Sequence, residues 1–135
     1  MVNSKMGALR HTVEQAIATR DHISELLALH LDIETGVRGY VLNENALFLE
    51  PFVAAAPRRE ALPATVVRDT AGDPRAKDIL ANLERASERQ FQLASANYFD
   101  ARAGRLIVAR ERFASGAGKQ AMDAVRREIS ASDEI

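Results

Sequence analysis

The three histidines are the first residues to consider for chemistry, because imidazole serves both as a metal ligand and as a general base. His11, His22 and His30 are separated by eleven and eight residues, whereas a metal-binding pair on a helix needs its ligands about one turn apart. Eleven residues span about 16 Å along a helix. We therefore expect ordinary surface or core-edge histidines, with a site shared between subunits as the alternative, and we predict no metal and no cofactor.

The segment Gly116-Ala117-Gly118-Lys119 has the outline of a phosphate loop. Phe113 stands at the position of that motif's first glycine, and Gln120 replaces its Ser/Thr. We interpret the segment as a turn between helices. The carboxylates mostly have Lys or Arg three or four residues away, which is typical of solvated helix surfaces, and no nucleophile motif occurs. We predict no catalytic residue and no enzyme activity.

The stretch from Glu34 to Tyr40 carries two glycines inside a helical pattern, and each costs about 1 kcal/mol relative to alanine. Small residues let a neighbouring backbone approach closely, and Glu34 and Arg38 have the spacing of a helical ion pair. We predict a packing and pairing motif here, with direct ligand contact or signal relay as the alternative. Its residues are Glu34, Thr35, Gly36, Arg38, Gly39 and Tyr40.

Polar residues interrupt the apolar rows of the third predicted helix. Gln90 and Asn97 lie seven residues apart, close to Tyr98, Arg102 and Arg105. Three interpretations remain open: the two amides lie at the edge of the core, they fix the register of a dimer, or they line a polar pocket for an anionic signal. The last makes Asn97, Tyr98, Arg102 and Arg105 the candidate ligand-binding residues.

Composition limits the class of protein. The chain has 135 residues, of which 47% are hydrophobic and 27% charged, so we expect one folded domain. Formal net charge is -1 with basic and acidic residues interspersed, which argues against nucleic acid as a partner. There is no cysteine. No run approaches the 18 or so apolar residues that span a bilayer, so we expect a soluble polypeptide.

Apolar residues recur at helical spacing along the chain, and Gly and Pro are concentrated at a few points. This distribution favours long helices over strands. We predict helices at about 8–42, 45–70, 74–114 and 119–135. The stripe on the first helix is broad enough for a bundle interior and includes Leu9, Val13, Ile17, Ile23, Leu26, Leu27, Leu29, Leu31, Ile33 and Val37.

Capping residues support these boundaries. Asn45 can cap the second helix, and Asp73 followed by Pro74 forms a helix start. The second helix contains three prolines, which remove backbone donors, so we expect it to be kinked or broken near one of them. These are Pro51, Pro57 and Pro63. The last helix is too short to cover its longer partners, which predicts a ragged end or a chain that continues in its parent.

Two segments resemble a known family. The segment Glu34-Thr35-Gly36-Val37-Arg38-Gly39-Tyr40-Val41-Leu42, followed by Phe48-Leu49-Glu50-Pro51-Phe52, is similar in order and spacing to the signature of the third type of CHASE domain, an extracytoplasmic sensory module. The segment Gly116-Ala117-Gly118-Lys119 running into Met122-Asp123-Ala124-Val125-Arg126 looks like that family's entry into its last helix. The resemblance covers nearly the whole chain.

This resemblance implies an elongated, antiparallel, up-down-up-down four-helix bundle. It implies one periplasmic sensory domain over residues 1–135, inserted between two transmembrane helices of a bacterial receptor that dimerises. The output is often a histidine kinase, with diguanylate cyclases and chemoreceptors as related possibilities. An unknown small molecule or envelope signal would be its input. A free-standing cytosolic adaptor or scaffold is the rival interpretation, and polar flanking sequence would favour it.

Overall fold

The computed structural model describes residues 2–69 and 72–133, which form five α-helices and one 3-10 helix. No strand occurs in this part of the chain, so the all-helical prediction is confirmed. None of its helices is long and apolar enough to cross a membrane. The elements are α1 (Val2–Asn43), the 3-10 helix (Ala46–Leu49), α2 (Glu50–Asp69), α3 (Pro74–Arg102), α4 (Leu106–Ala114) and α5 (Ala117–Ser132).

The predicted cap of the third helix is confirmed at Asp73, whereas Asn45 caps a 3-10 helix and α2 begins only at Glu50. Asn45 Oδ1 accepts a hydrogen bond from the backbone N–H of Leu47 at 3.0 Å and starts the 3-10 helix. Asp73 Oδ1 accepts from Arg75 and Ala76 at 3.0 and 3.3 Å, and Pro74 begins α3. Each cap satisfies donors that a helix leaves free in its first turn.

The third helix is shorter than the sequence predicts. It ends at Arg102 and not near residue 114, because Gly104 adopts φ +82° and the backbone changes direction there. The N–H of Arg105 donates to Asp100 O at 2.7 Å, and that of Gly104 donates to Ala101 O at 3.2 Å. This is the Schellman pattern, in which a left-handed glycine closes a helix. A separate short helix, α4, therefore connects α3 to α5.

The prolines of α2 do not break it. Pro51 lies in the first turn, where a missing N–H costs little. Pro57 and Pro63 lie in the interior, yet the helix continues from Glu50 to Asp69. Phe52, Ala55 and Arg59 are buried on one face of this helix, and their packing holds the segment in place. The predicted ends at residues 70 and 135 lie outside the described residues.

The core consists of two hydrophobic clusters separated by polar side chains. The small cluster contains Ile23, Leu26, Leu80 and Leu83, with Ile129 packed against it. The large cluster contains Leu29, Ile33, Val37, Val41, Phe52, Ala55, Ala94, Ala101 and Ala109, with Tyr40, Phe91, Tyr98, Leu106 and Phe113 packed against it.

The first part of the predicted stripe on α1 is not in the core. Leu9, Val13 and Ile17 are 67%, 50% and 55% exposed, whereas Ile23 is buried. Ile17 and Ile23 are six residues apart, so their side chains point about 120° apart on a helix of 3.6 residues per turn. This angle accounts for Ile17, but Leu9 points within about 40° of Ile23. All three positions are exposed, so their interpretation as bundle interior was wrong.

Contacts between helices define their relative directions. Gly36 of α1 lies against Phe52 of α2, and Glu25 pairs with Arg58 further along, so the two helices run in opposite directions. Residues near Leu26 of α1 cluster with Leu80 and Leu83 of α3, and His30 bonds Ser87, so α1 and α3 run the same way. The order along α5 is reversed relative to α1: Gly118 meets Glu34, and Ile129 packs on the small cluster.

Candidate signalling site

The two signature glycines form a notch that receives the 3-10 helix. A methyl group on Gly36 would lie 2.7 Å from Phe48 O and 3.3 Å from Phe52 N. A methyl group on Gly39 would lie 2.4 Å from Phe48 Cδ1. A side chain at Gly36 would overlap the backbone of the segment that follows α1, and one at Gly39 would overlap the side chain of Phe48. The two glycines therefore permit the close approach of this segment.

Glu34 lies next to this notch and reaches two other helices. Its Oε2 accepts a hydrogen bond of 3.3 Å from Gln90 Nε2 on α3, and its Oε1 would lie 3.1 Å from a methyl group on Gly118 of α5. Burial raises the pKa of Glu34 above its usual value. The Gln90 hydrogen bond and the charges of Arg38 and Arg126 act in the opposite direction.

His30 lies one turn before Glu34 on α1 and is fully buried. Its Nδ1 lies 2.5 Å from Gln90 Oε1, and its Nε2 lies 2.5 Å from Ser87 Oγ. Since an amide oxygen can only accept, Nδ1 carries the proton, and the neutral ring then accepts at Nε2 from the Ser87 hydroxyl. Hydrogen bonds therefore point in one direction, from Ser87 through His30 and Gln90 to the Glu34 carboxylate. We call these four residues the polar layer.

Arg59 of α2 is buried beside the polar layer. It pairs with Glu88 Oε2 at 2.9 Å, and its guanidinium carbon lies 4.2 Å from the ring centroid of Phe91. Burial lowers the pKa of His30, and the charge of Arg59 adds to that effect, while Gln90 and Glu88 oppose it. The environment thus favours the neutral imidazole that the hydrogen-bond directions require.

The other signature residues have different surroundings. Arg38 and Thr35 are exposed, and Arg38 acts on Glu34 through its charge, without an ion pair within 4 Å among the described residues. Tyr40 is half-buried against the large cluster, and its carbonyl oxygen accepts from Glu44 N at 2.7 Å. The backbone of Tyr40 therefore helps to close the turn after α1.

The structure places the four candidate ligand-binding residues in two different environments. Asn97 is buried, and its Oδ1 accepts from Arg112 Nη1 of α4 at 2.6 Å. Arg105 pairs with Asp100 at 2.9 Å. Both therefore serve the connection between α3 and α4. Arg112 also binds Asp100 at 2.8 Å, and these two arginines hold the pKa of Asp100 below its usual range.

Tyr98 and Arg102 face a different environment, a shallow groove of about 380 Å³ between the start of α2 and the end of α3. The Arg102 guanidinium carbon lies 5.8 Å from the centroid of the Tyr98 ring. We call this the distal groove. Its lining consists of Ala46, Leu49, Glu50, Val53, Ala54, Tyr98 and Arg102.

The chain matches a known family over nearly its whole length. The CHASE3 domain family matches residues 9–134. The chain belongs to the CHASE3 family. CHASE3 domains are extracellular sensory domains found in signalling receptors. No curated protein and no solved structure matches the chain.

Three residues that shape this CHASE3 domain's polar layer were not among the sequence candidates. His30 was expected at the surface or core edge, and it is buried; Ser87 and Arg59 were not considered. The spacing of the sequence does indicate burial of His30 and Ser87, because each lies three or four residues from buried neighbours on the same helix face. Gln90 and Asn97 are likewise fully inside the domain and not at its edge. The side chain of His11 lies outside the described residues.

Proposed function

We propose that this CHASE3 domain is the periplasmic input domain of a bacterial transmembrane receptor, a two-component sensor histidine kinase, and has no catalytic role itself. It passes a signal by a displacement between α1 and α5. The contact of Glu34 on α1 with Gly118 on α5 carries this proposal, because the family's signature residue touches the last helix directly. A two-state element biased by contacts of this kind is a recognised route for signal transmission.

The helix directions support an up-down-up-down four-helix bundle formed by α1, α2, α3 and α5, with α4 as a connection. In that arrangement the start of α1 and the end of α5 lie at the same end of the domain. Continuations of both helices through the bilayer would transmit a relative shift to the cytoplasm. This is the property that an input domain between two membrane spans requires.

We further propose that the full-length receptor is a homodimer. Met6, Leu9, Val13 and Ile17 are each at least half exposed on the first turns of α1, at spacings of three and four residues. Such a row favours packing against another helix. In the receptor, the membrane and output segments would hold a second copy of the chain close by. That copy would supply the other helix at high effective concentration.

The distal groove is our candidate for a small-molecule input. Arg102 has no ion-pair partner among the described residues, whereas Arg105 and Arg112 are paired. An uncommitted guanidinium beside an aromatic ring suits an anionic group, and Leu49 and Val53 supply apolar contact for the remainder of the ligand. An envelope signal acting on the exposed apolar surface is the alternative input.

Membrane topology and activity of the full-length gene product test the proposal. Reporter fusions should place this domain outside the cytoplasm between two spans of about 20 apolar residues. Disulfide cross-linking of α1 to α5 through introduced cysteine pairs, in a chain that has no cysteine of its own, should lock the output at one level. Polar flanks would instead support the adaptor alternative. A chemoreceptor or cyclase output would leave the sensory role intact and change only the assay.

A further inference from the structure

The distal groove is lined by one acidic and one basic side chain, each from a different helix. Glu50 begins α2 and Arg102 ends α3, and the groove of about 380 Å³ lies between these two helix ends. Both residues are exposed. The groove is therefore not a purely basic site, and a simple anion would meet the Glu50 carboxylate as well as the Arg102 guanidinium.

These two charges do not neutralise each other. Glu50 and Arg102 form no ion pair with each other, and neither forms one with any other residue in the ranges 2–69 and 72–133. Each lies at a helix end whose dipole favours its sign, since Glu50 is in the first turn of α2 and Arg102 is in the last turn of α3. Both charges are therefore stabilised without an ion-pair partner and are available to a ligand.

The remainder of the lining is apolar. Leu49 is buried, Val53 is 60% exposed, and two alanines lie beside them. Tyr98 supplies an aromatic face that is held in place, because its ring packs on Phe52 with the centroids 5.0 Å apart. An exposed valine in a concave surface is apolar area that a ligand side chain would remove from water. The lining thus combines an aliphatic surface with two opposite charges.

We propose that the distal groove binds a zwitterion of the α-amino-acid class with an aliphatic side chain. The Arg102 guanidinium donates hydrogen bonds to the ligand carboxylate, for which its planar fork of N–H groups is well suited. The Glu50 carboxylate accepts from the ligand ammonium group, and the ligand side chain covers Val53. The volume of about 380 Å³ is near the lower end of the range for ligand pockets, which suits a molecule of this size.

This ligand class rests on the proposed function only for the choice of the distal groove as the input site. Binding can be measured on the 135-residue chain by itself. If no such zwitterion binds, the domain keeps its sensory role with an envelope signal as its input. If the membrane-topology test fails, the result of the binding measurement still stands.

An NMR titration of the backbone amides with three related molecules tests the proposal. L-leucine carries both charges, N-acetyl-L-leucine lacks the ammonium group, and L-leucinamide lacks the carboxylate. L-leucine should cause saturable shifts in residues 46–54 and 98–102. Its Kd should be lower than that of either analogue by about tenfold or more, because each analogue loses one charge-assisted hydrogen bond.

Two variants assign each ligand charge to its side chain in the groove. Glu50→Gln should weaken L-leucine by about tenfold and should not weaken N-acetyl-L-leucine. Arg102→Gln should weaken L-leucine by a similar factor and should not weaken L-leucinamide. Arg105→Gln is the matched control, because Arg105 is an exposed arginine near the same end of α3 that does not line the groove. It should leave all three affinities unchanged.

Three results would overturn the proposal. If N-acetyl-L-leucine binds as tightly as L-leucine, the groove is an anion site and the ammonium group has no role. If about 10 mM L-leucine causes no saturable shifts, or shifts only amides outside the groove, the groove does not bind this class. If Glu50→Gln and Arg102→Gln both bind L-leucine normally, the two charges do not hold the ligand.

Discussion

Gly36 lies directly against the backbone of Phe48: a methyl group at the glycine would be 2.7 Å from the carbonyl oxygen of that residue. The contact joins α1 to the 3-10 helix without any side chain between them. At Gly39 the neighbour is instead the Phe48 ring, which is 41% exposed and has room to turn away. The two signature glycines therefore differ in how strictly they are required.

Gly36→Ala should destabilise the domain more than Gly39→Ala. Overpacking costs about 1–3 kcal/mol, while the gain in helix propensity is about 1 kcal/mol. At Gly36 the obstacle is backbone and cannot rotate away, so we expect a net loss in the free energy of unfolding. At Gly39, movement of the Phe48 ring should reduce the loss. Urea denaturation measures both.

Gly7→Ala is the control for these variants, because Gly7 also lies in α1 and no heavy atom comes within 4 Å of a methyl group there. It should be neutral or stabilising by up to about 1 kcal/mol. Phe48→Ala should rescue Gly39→Ala and leave Gly36→Ala unrescued. Equal losses at the two glycines would contradict the assignment of backbone contact to Gly36 alone.

The role of these glycines could be predicted from the sequence, since two helix-interior glycines cost stability unless something packs closely on them. The break at Gly104 could not be predicted with the same confidence, because glycine also occurs inside helices and the apolar pattern continues through Leu106 and Ile107. Only the left-handed conformation at Gly104, fixed by tertiary packing of α4, ends α3 at Arg102.

His30 and Ser87 of the polar layer were missed because polarity was taken as a sign of the surface. The buried row of α3 has strict spacings of four and three residues, and polar or small residues occupy most of it. It consists of Ala76, Leu80, Leu83, Ser87, Gln90, Ala94, Asn97 and Ala101. Spacing identifies such a row, but the partners that make its polar members tolerable come from other helices and become visible only in the fold.

Arg112 holds α4 on α3, and its removal should be costly. Arg112→Ala leaves the buried Asn97 oxygen without its donor, which costs about 1–3 kcal/mol. Lysine at this position supplies a single ammonium group and should recover only part of the loss, since Arg112 donates to both Asn97 and Asp100. Thermal unfolding measures stability, and NMR titration should show the pKa of Asp100 moving back toward its usual range.

Arg105→Ala is the comparison for Arg112, because Arg105 binds the same carboxylate from an exposed position. Exposed ion pairs contribute less than about 1 kcal/mol. We therefore expect a small change in melting temperature for Arg105→Ala. A loss as large as that of Arg112→Ala would show that the Asp100 pair, and not the buried Asn97 contact, connects the helices.

Arg102→Ala should separate signalling from stability. Arg102 is exposed and has no ion-pair partner in the described part of the chain, so its loss should change the free energy of unfolding by no more than about 0.5 kcal/mol. If the distal groove takes an anionic ligand, the same change should weaken the response of the full-length receptor. A normal response in Arg102→Ala would exclude the groove as the anion site.

His30 should make the domain less stable in mild acid. Burial lowers the pKa of His30, so between that lowered value and about 6.5 the unfolded chain binds more protons than the folded one. The contribution of the neutral imidazole is therefore present above about pH 6.5 and is lost as the pH falls toward the folded-state pKa. The raised pKa of Glu34 has the opposite effect, since it lowers stability as the pH rises, and a Glu34→Gln background removes it.

In that background, His30→Gln supplies an uncharged side chain that can still donate to Gln90 but cannot titrate. It should lose about 1–3 kcal/mol near neutral pH, where the hydrogen bond of Ser87 to Nε2 is removed. The difference between the two proteins should then shrink as the pH is lowered from about 8 to about 5, because only the protein with His30 has a buried base to protonate. Urea denaturation at each pH gives the difference directly. A gap that widens in acid would mean that His30 is charged in the fold. Nε2 would then donate to Ser87 Oγ, while the bonds from Nδ1 to Gln90 and from Gln90 to Glu34 would keep their directions.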